Sequence, residues 1–313
     1  MNKIKIAFVG TGYMANEHAK VLTREFRDKV QLVGAINRSK NNIKKFIKKY
    51  KILNQYTSLE KMMETSKPDI VIVCVNELST LKILNILSNY NCKCLVEKPI
   101  GLNFDQSKKI LKFYKNKKFL PVIALNRRYY SSVLNTQKII SNDKSPRIIR
   151  IFDQENPLIA KKLGKPMQVV KNWMYANSIH MIDFAYQFGR GKIKYVKKLN
   201  NINILKEGNI SSVLYFDSGD IVYYNCIWNR PAPWCVEIST KEYFVQLKPI
   251  EKMSFITKKY RNWSPVKISK FDVKYKAGIY SLLNNLIKYK KSKLKDLNYS
   301  HKLMQLIKRI YFD

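Results

Sequence analysis

The chain has 313 residues, enough for two domains, and 46% of them are hydrophobic, enough for a buried core in each. Its 48 Lys and 11 Arg against 22 acidic residues give a net charge of +37, which suggests nucleic acid or an anionic membrane as a partner. The basic residues are scattered rather than clustered, so we predict binding to neither, and a basic surface protein remains an alternative. No segment is apolar enough for a membrane span or a signal peptide, which predicts a cytoplasmic protein.

The five cysteines predict neither disulfides nor a metal site. Their number is odd, and no two of them have C-x-x-C spacing. Cys92 and Cys94 are separated by one residue, which is not a metal-ligand spacing. We therefore expect reduced thiols that pack as small hydrophobic side chains.

The first 26 residues predict a strand, a tight turn and a helix. Lys3–Val9 is a short apolar run, the next six residues read G-x-G-x-x-A, and Asn16–Phe26 has apolar residues at helical spacing. Gly10 allows the tight turn, Gly12 lets the backbone approach a pyrophosphate, and Ala15 keeps the helix close to the strand. This order predicts a dinucleotide-binding turn, and the alternative is a tight turn without a ligand.

Strands and helices then alternate up to about residue 125. Alternation of this kind predicts parallel βαβ units with right-handed crossovers. We therefore expect one doubly wound α/β domain over residues 1–125. The remaining predicted strands are Val30–Asn37, Gln55–Thr57, Asp69–Val75, Cys92–Val96 and Phe119–Leu125, and the helices between them are Asn41–Tyr50, Ser58–Thr65, Thr80–Tyr90 and Asp105–Lys115.

The pattern changes after residue 125, where strands are grouped and helices are set apart. This grouping predicts an α+β domain over residues 126–313, built on a mostly antiparallel sheet. Asp217–Asp220 is predicted to be a hairpin turn between two of its strands. The other predicted elements are a strand at Pro146–Gln154, a helix at Asn177–Phe188, several strands from Lys192 to about Ile256, and helices at about 276–290 and 298–311.

The end of the second predicted strand bears on the choice of cofactor. An acidic residue there would bind the ribose 2′-hydroxyl of NAD, but this chain has Asn37 followed by Arg38. Arg38 can pair with a 2′-phosphate, which favours NADP. Asn37 can also hydrogen-bond a ribose, so NAD stays open.

Two further groups of residues can carry chemistry. Lys98, in Glu97-Lys98-Pro99, directly follows a strand and can stabilise charge on a substrate oxygen; alternatively, Glu97 and Lys98 form a surface ion pair. Asn177, His180 and Asp183 are spaced three apart, which predicts one strip of a helix surface. A carboxylate one turn away can orient His180 for proton transfer. We assign the other two histidines, at positions 18 and 301, structural roles.

Four motifs together resemble the glucose–fructose oxidoreductase / inositol dehydrogenase / MocA-like (Gfo/Idh/MocA) oxidoreductases over nearly the whole chain. They are the first-turn glycines, Glu97-Lys98-Pro99, Asn126–Tyr129 and Asn177–Asp183. The resemblance implies an N-terminal Rossmann domain and a C-terminal α+β domain with an open sheet that builds homodimers or homotetramers. It also implies hydride transfer between NAD(P) and a secondary alcohol carbon of a sugar, polyol or nucleotide-sugar.

The residues and the resemblance together give a set of candidate site residues. Lys98 and His180 are the predicted catalytic residues, and no metal is expected. The predicted cofactor-binding residues are Gly10, Thr11, Gly12, Tyr13, Met14, Asn37, Arg38, Asn76, Glu97, Lys98 and Asn126. The predicted substrate-binding residues are Lys98, Arg127, Tyr129, Asn177, His180 and Asp183.

One position departs from the family pattern. Many relatives have an acidic residue four positions before the histidine, and this chain has Ala176 there. Asn177 can replace some of the hydrogen bonding but cannot transfer a proton as a carboxylate does. Ala176 therefore keeps two alternatives open: a non-redox sensor or regulatory protein that binds NAD(P), and a glycoside hydrolase that uses NAD transiently.

Overall fold

The computed structural model describes residues 2–313, which form two compact units. The first unit contains the residues up to Leu125 together with Ile279–Lys302. The second unit contains Asn126–Gly278 together with Leu303–Asp313. In residues 2–313, no helix combines the length and the apolar character that a membrane crossing requires.

The first unit is a Rossmann domain with a six-stranded parallel sheet in the order β3-β2-β1-β4-β5-β6. Its strands are β1 (Ile4–Val9), β2 (Val30–Ile36), β3 (Gln55–Tyr56), β4 (Ile70–Val73), β5 (Lys93–Val96) and β6 (Val122–Ile123). Its helices are α1 (Tyr13–Glu25), α2 (Lys40–Tyr50), α3 (Leu59–Ser66), α4 (Thr80–Leu87), α5 (Phe104–Phe113) and α11 (Ile279–Ile287). All four residues of β4 are buried, as expected for a strand covered on both faces. The predicted α/β fold of this part is confirmed.

Residues 279–302 pack in the first unit, although the predicted second domain, residues 126–313, includes them. Tyr280 stacks on Phe26 of α1 with ring centroids 5.5 Å apart. The Ile123 N–H donates to the Lys295 carbonyl at 2.7 Å, beside the parallel edge strand β6. The predicted domain boundary does not include residues 279–302 in the first domain, because their packing there depends on contacts between residues far apart in sequence.

The second unit contains an eight-stranded sheet in the order β14-β13-β12-β11-β7-β10-β9-β8. Its strands are β7 (Ile148–Glu155), β8 (Ile193–Lys198), β9 (Gly208–Phe216), β10 (Ile221–Trp228), β11 (Cys235–Ser239), β12 (Tyr243–Leu247), β13 (Met253–Thr257) and β14 (Ser264–Val266). Only β7 and β10 pair in parallel, so the mostly antiparallel sheet is confirmed. β9 and β10 form the predicted hairpin around Asp217–Asp220.

Several short helices of the second unit were not predicted. They are α6 (Ser131–Ile140), α7 (Pro157–Lys162), α8 (Met167–Val170) and α10 (Lys270–Lys274). For α7 a signal was present: Asn156 caps the helix by accepting from the Ile159 N–H at 3.0 Å, and proline occupies its first turn. The remaining helices are α9 (Ile179–Phe188) and α12 (Leu297–Tyr311), whose residues from Leu303 onward belong to this unit.

Candidate functional site

The glycine-rich turn between β1 and α1 has two glycines with different surroundings. Gly10 has φ +91°, and a Cβ built on it would lie 2.2 Å from the Cys74 carbonyl oxygen. Gly12 is the N-cap of α1, and a Cβ there would meet no protein atom within 4 Å. The protein's own packing therefore accounts for glycine at position 10. At position 12 the protein leaves open space. A dinucleotide-binding turn needs such space at this glycine, because the pyrophosphate approaches the backbone there.

A cavity of about 620 Å³ lies beside this turn, along the carboxyl ends of β1, β2 and β4. It brings together six of the predicted cofactor-binding residues: Gly10, Thr11, Gly12, Asn37, Arg38 and Asn76. Arg38 and Lys82 supply positive charge, and no Asp or Glu is among its lining residues within the described chain. The cavity therefore suits a ligand with negatively charged phosphates. Sequence reasoning missed Lys82, which projects from the helix after β4.

The side chains of this cavity are held by short hydrogen bonds. Asn37 Nδ2 donates to Thr11 Oγ1 at 2.6 Å, which ties the end of β2 to the glycine-rich turn. Asn76 Oδ1 accepts from the backbone N–H and the hydroxyl of Ser79, at 3.0 and 2.7 Å. Tyr13 and Met14 are the first two residues of α1 and do not line the cavity.

Glu97 and Lys98 directly follow β5. The Glu97 N–H donates to the Val73 carbonyl at 2.9 Å, which fixes the segment against the end of β4. Glu97 Oε1 lies 2.8 Å from Nε2 of the fully buried His18 on α1. His18, interpreted from the sequence as merely structural, therefore holds the residue next to Lys98. The side chain of Lys98 is half-buried.

His18, Glu97 and Cys74 have ligand atoms within 4.8 Å of one another, a grouping that can hold a metal ion. Burial, and to a lesser degree the charge of Glu97, raises the pKa of the Cys74 thiol well above its usual value. A metal binds the thiolate, so a protonated thiol is a poor ligand. His18 Nε2 and Glu97 Oε1 are at hydrogen-bonding distance, and the Cys74 thiol would have to lose its proton before the three residues could bind a metal together.

The predicted residues at the start of the second unit are held mainly by packing. Asn126 is buried and donates through Nδ2 to the Ala277 carbonyl at 3.1 Å. Arg127 stacks its guanidinium over the Trp234 ring, 4.3 Å from the ring centroid. Burial raises the pKa of the Tyr129 hydroxyl well above its usual value. Tyr129 therefore stays protonated at neutral pH.

The predicted helix at Asn177–Phe188 is shorter than expected. The α-helix α9 begins at Ile179, and a π-helical turn at Met174–Ser178 precedes it. The wider turn interrupts the predicted strip, because side chains in a π-helix do not follow α-helical spacing. Asn177 lies in the π turn, while His180 is buried in the first turn of α9.

Asp183 pairs with a buried arginine. Its Oδ1 accepts from Arg128 Nη1 at 2.7 Å, and both side chains are almost fully buried. No sequence motif connects these two residues, because 55 positions separate them. The pair fixes α9 to the segment that contains Arg127 and Tyr129.

Sequence reasoning also missed a buried carboxyl group on β7. Glu155 is 2% exposed and accepts from Trp173 Nε1 at 2.6 Å and from Asn177 Nδ2 at 2.9 and 3.1 Å. Asp153, two residues earlier on the same strand, accepts from the Tyr224 hydroxyl at 2.8 Å. A buried acidic residue two positions from another, in a strand of otherwise apolar inward residues, was the signal that could have pointed to this pair.

Comparisons with known proteins agree with this geometry. Residues 4–123 match the model of a family described as an oxidoreductase family with an NAD-binding Rossmann fold, GFO_IDH_MocA. A sequence search of curated proteins found no match.

Among solved structures, a dehydrogenase from Chromobacterium violaceum superposes with a TM-score of 0.82 at 13% identity, covering 99% of this chain and 94% of that one. UDP-N-acetylglucosamine 3-dehydrogenase GnnA from Acidithiobacillus ferrooxidans gives 0.77 at 11% identity, covering 99% and 97%. A super-repressor mutant of Gal80p from Saccharomyces cerevisiae gives 0.81 at 13% identity, covering 99% and 95%. At these identities the likeness establishes the fold.

Proposed function

We propose that the protein is an NAD(P)-dependent dehydrogenase or reductase, because residues 4–123 match the model of an oxidoreductase family with an NAD-binding Rossmann fold. In this proposal it interconverts a secondary alcohol and a ketone on a sugar, polyol or nucleotide-sugar. The observation that supports cofactor binding most directly is the open space at Gly12. It lies beside a cavity that is lined by the basic side chains of Arg38 and Lys82 and by no carboxylate of the described residues. The UDP-N-acetylglucosamine 3-dehydrogenase among the similar structures supports a nucleotide-sugar as the substrate.

In the proposed reaction, the nicotinamide supplies or accepts the hydride. His180 takes the hydroxyl proton when the alcohol is oxidised and returns it when the ketone is reduced. Lys98 stabilises the negative charge that develops on the substrate oxygen, and Glu97, held by His18, positions the lysine segment. Arg127, Tyr129 and Asn177 are the proposed substrate-binding residues. Asp183 was also predicted to bind the substrate, and the proposed role for its carboxylate is to fix α9 through Arg128. Asn126 is proposed to help bind the cofactor.

The proposed cofactor is NADP rather than NAD. Arg38 is exposed at the cavity and can form a charge-assisted pair with a 2′-phosphate. We expect Arg38→Met to weaken NADPH binding about tenfold and to leave NADH binding unchanged, in titrations that follow nicotinamide fluorescence. Arg24→Met, which removes an exposed arginine from the last turn of α1, is the matched control. Tighter binding of NADH than of NADPH by the unmodified protein would assign the ribose to Asn37 instead.

A non-redox NAD(P)-binding protein is the second candidate, because the position of the usual acidic residue is occupied by the buried Ala176. The two candidate functions predict different changes in nicotinamide absorbance at 340 nm. The dehydrogenase changes it when a nucleotide-sugar is added with NADP or NADPH, and the non-redox protein binds the cofactor without any change. A glycoside hydrolase that uses the cofactor transiently would release sugar without net consumption of the cofactor.

A homodimer or homotetramer is also proposed, through one face of the eight-stranded sheet. Ile148, Tyr215 and Ile221 are paired in register across three strands, and Tyr223 lies on the same face two residues further along β10. Ile148, Tyr215 and Tyr223 are exposed, and such a face is typical of a surface that associates. We expect Tyr223→Lys to convert the oligomer to a monomer in size-exclusion chromatography with light scattering. A protein that is already monomeric without the substitution would contradict this proposal.

A further inference from the structure

Glu155 lies at the inner face of β7, next to the segment that leads into α9. Its two carboxyl oxygens accept three hydrogen bonds, one from the Trp173 indole and two from the Asn177 amide. Both donors precede His180 in the chain: Trp173 directly precedes the π-helical turn, and Asn177 lies within it. Glu155 therefore connects the central strand of the sheet to the turn that positions His180 and Asn177.

The chemistry of a carboxylate decides how the Asn177 side chain is oriented. An ionised carboxylate only accepts hydrogen bonds, so Asn177 must turn its NH₂ group toward Glu155. The amide oxygen then points away, and Oδ1 accepts no hydrogen bond from the described residues. Asn177 is half-buried, and Oδ1 is not one of the buried side-chain oxygens that lack a partner, so it is open to a ligand that carries a hydrogen-bond donor.

We propose that Glu155 is a positioning residue that fixes Asn177 as a hydrogen-bond acceptor for a hydroxyl group of the substrate sugar ring. In this arrangement an acidic side chain on β7 compensates for the alanine at position 176, where relatives have a carboxylate. Glu155 acts through Asn177 and does not touch the substrate. The inference rests on the proposed function, because it requires a substrate with hydroxyl groups.

The surroundings of Glu155 act on its charge in opposite directions. Burial, followed by the charge of Asp153, raises the pKa of Glu155 well above its usual value, and the hydrogen bonds from Asn177 and Trp173 and the charge of Arg127 offset only part of this shift. The geometry is nevertheless that of a hydrogen-bond acceptor, because all three contacts to the two carboxyl oxygens come from N–H groups.

The first test is spectroscopic and needs no substrate. The chain has four tryptophans, so a ¹⁵N-labelled sample gives four indole N–H resonances, and Trp173→Phe identifies the one that belongs to Trp173. We expect Glu155→Gln to shift this resonance upfield, because the short charge-assisted bond is replaced by a weaker neutral one. Glu237→Gln, on β11, is the matched control and leaves the Trp173 resonance in place. An unshifted Trp173 resonance in Glu155→Gln overturns the inference.

The second test measures binding of UDP-N-acetylglucosamine, UDP-glucose, dTDP-glucose and GDP-mannose to the NADPH complex by calorimetry. We expect Glu155→Gln and Asn177→Ala each to weaken binding of the preferred sugar about tenfold, which corresponds to one hydrogen bond. The double variant should bind no more weakly than Asn177→Ala alone, because both changes remove the same contact. Additive losses, or unchanged affinity in Glu155→Gln, overturn this inference alone.

A protein that binds none of the four sugars, although it binds NADPH, overturns the proposed function and this inference together. Circular dichroism and thermal unfolding show whether Glu155→Gln is folded. If that variant does not fold, the double variant Trp173→Phe/Asn177→Asp is compared with Asn177→Ala instead. The aspartate places a second carboxylate beside Glu155, and repulsion between the two should make the double variant bind the sugar more weakly than Asn177→Ala does. Equal binding by these two variants overturns the inference.

Discussion

Replacing Lys98 with methionine is expected to lower kcat about 10³-fold while the affinity for NADPH is largely retained. Methionine has nearly the same shape as lysine but cannot stabilise the charge on the substrate oxygen, and loss of one such interaction typically costs 10²- to 10³-fold in kcat. Lys98 follows the carboxyl end of β5, the edge of a parallel sheet at which ligands bind. The measurement is the rate of absorbance change at 340 nm with the nucleotide-sugar that the wild-type protein turns over fastest.

The matched control for this experiment is Lys93→Met, which removes the same charge from the other end of β5. Lys93 lies 4.0 Å from the centre of the Tyr289 ring, so its loss slightly affects packing and not the proposed reaction. A small effect at Lys93 and a large one at Lys98 would separate a catalytic role from a general effect of charge in a protein of net charge +37. Normal turnover by Lys98→Met would show that another group stabilises the oxygen.

Much of the fold could be predicted because local pattern and burial agree in it. The residues of β4 are an unbroken apolar run, and a parallel sheet covered on both faces requires one. The hairpin at Asp217–Asp220 was predicted because turn residues separate two alternating segments. In each case the sequence within about ten residues contains the physical cause.

The contacts that shape the candidate site have their cause far along the chain. His18 and Glu97 are 79 residues apart, and Arg128 and Asp183 are 55 apart. Glu155 was not singled out because its partners, Trp173 and Asn177, reach it only after β7 and the π turn have packed together. The motifs therefore predicted which residues could carry chemistry, and the folded chain was needed to show which residues hold them in place.

Two alanine substitutions in the glycine-rich turn are expected to differ in their effect on the free energy of unfolding. Gly10→Ala should lower the free energy of unfolding by about 3 kcal/mol, because alanine strains a backbone with φ +91° and its Cβ overlaps the Cys74 carbonyl oxygen. Gly12→Ala should leave the free energy of unfolding within about 1 kcal/mol of wild type, because its Cβ meets no protein atom. Urea unfolding monitored by circular dichroism measures both.

For cofactor binding the order is expected to be reversed: Gly12→Ala should lower the affinity for NADPH more than Gly10→Ala does. If a pyrophosphate approaches the backbone at Gly12, the added methyl group occupies its place, and NADPH should bind about 100-fold more weakly at a steric cost of about 1–3 kcal/mol. Gly10→Ala protein that remains folded should lose less affinity, since its methyl group points at Cys74 rather than into the cavity. Wild-type affinity for NADPH in Gly12→Ala would mean that no ligand occupies the open space at this turn. The glycine at position 12 would then need another explanation, because the surrounding protein does not require it.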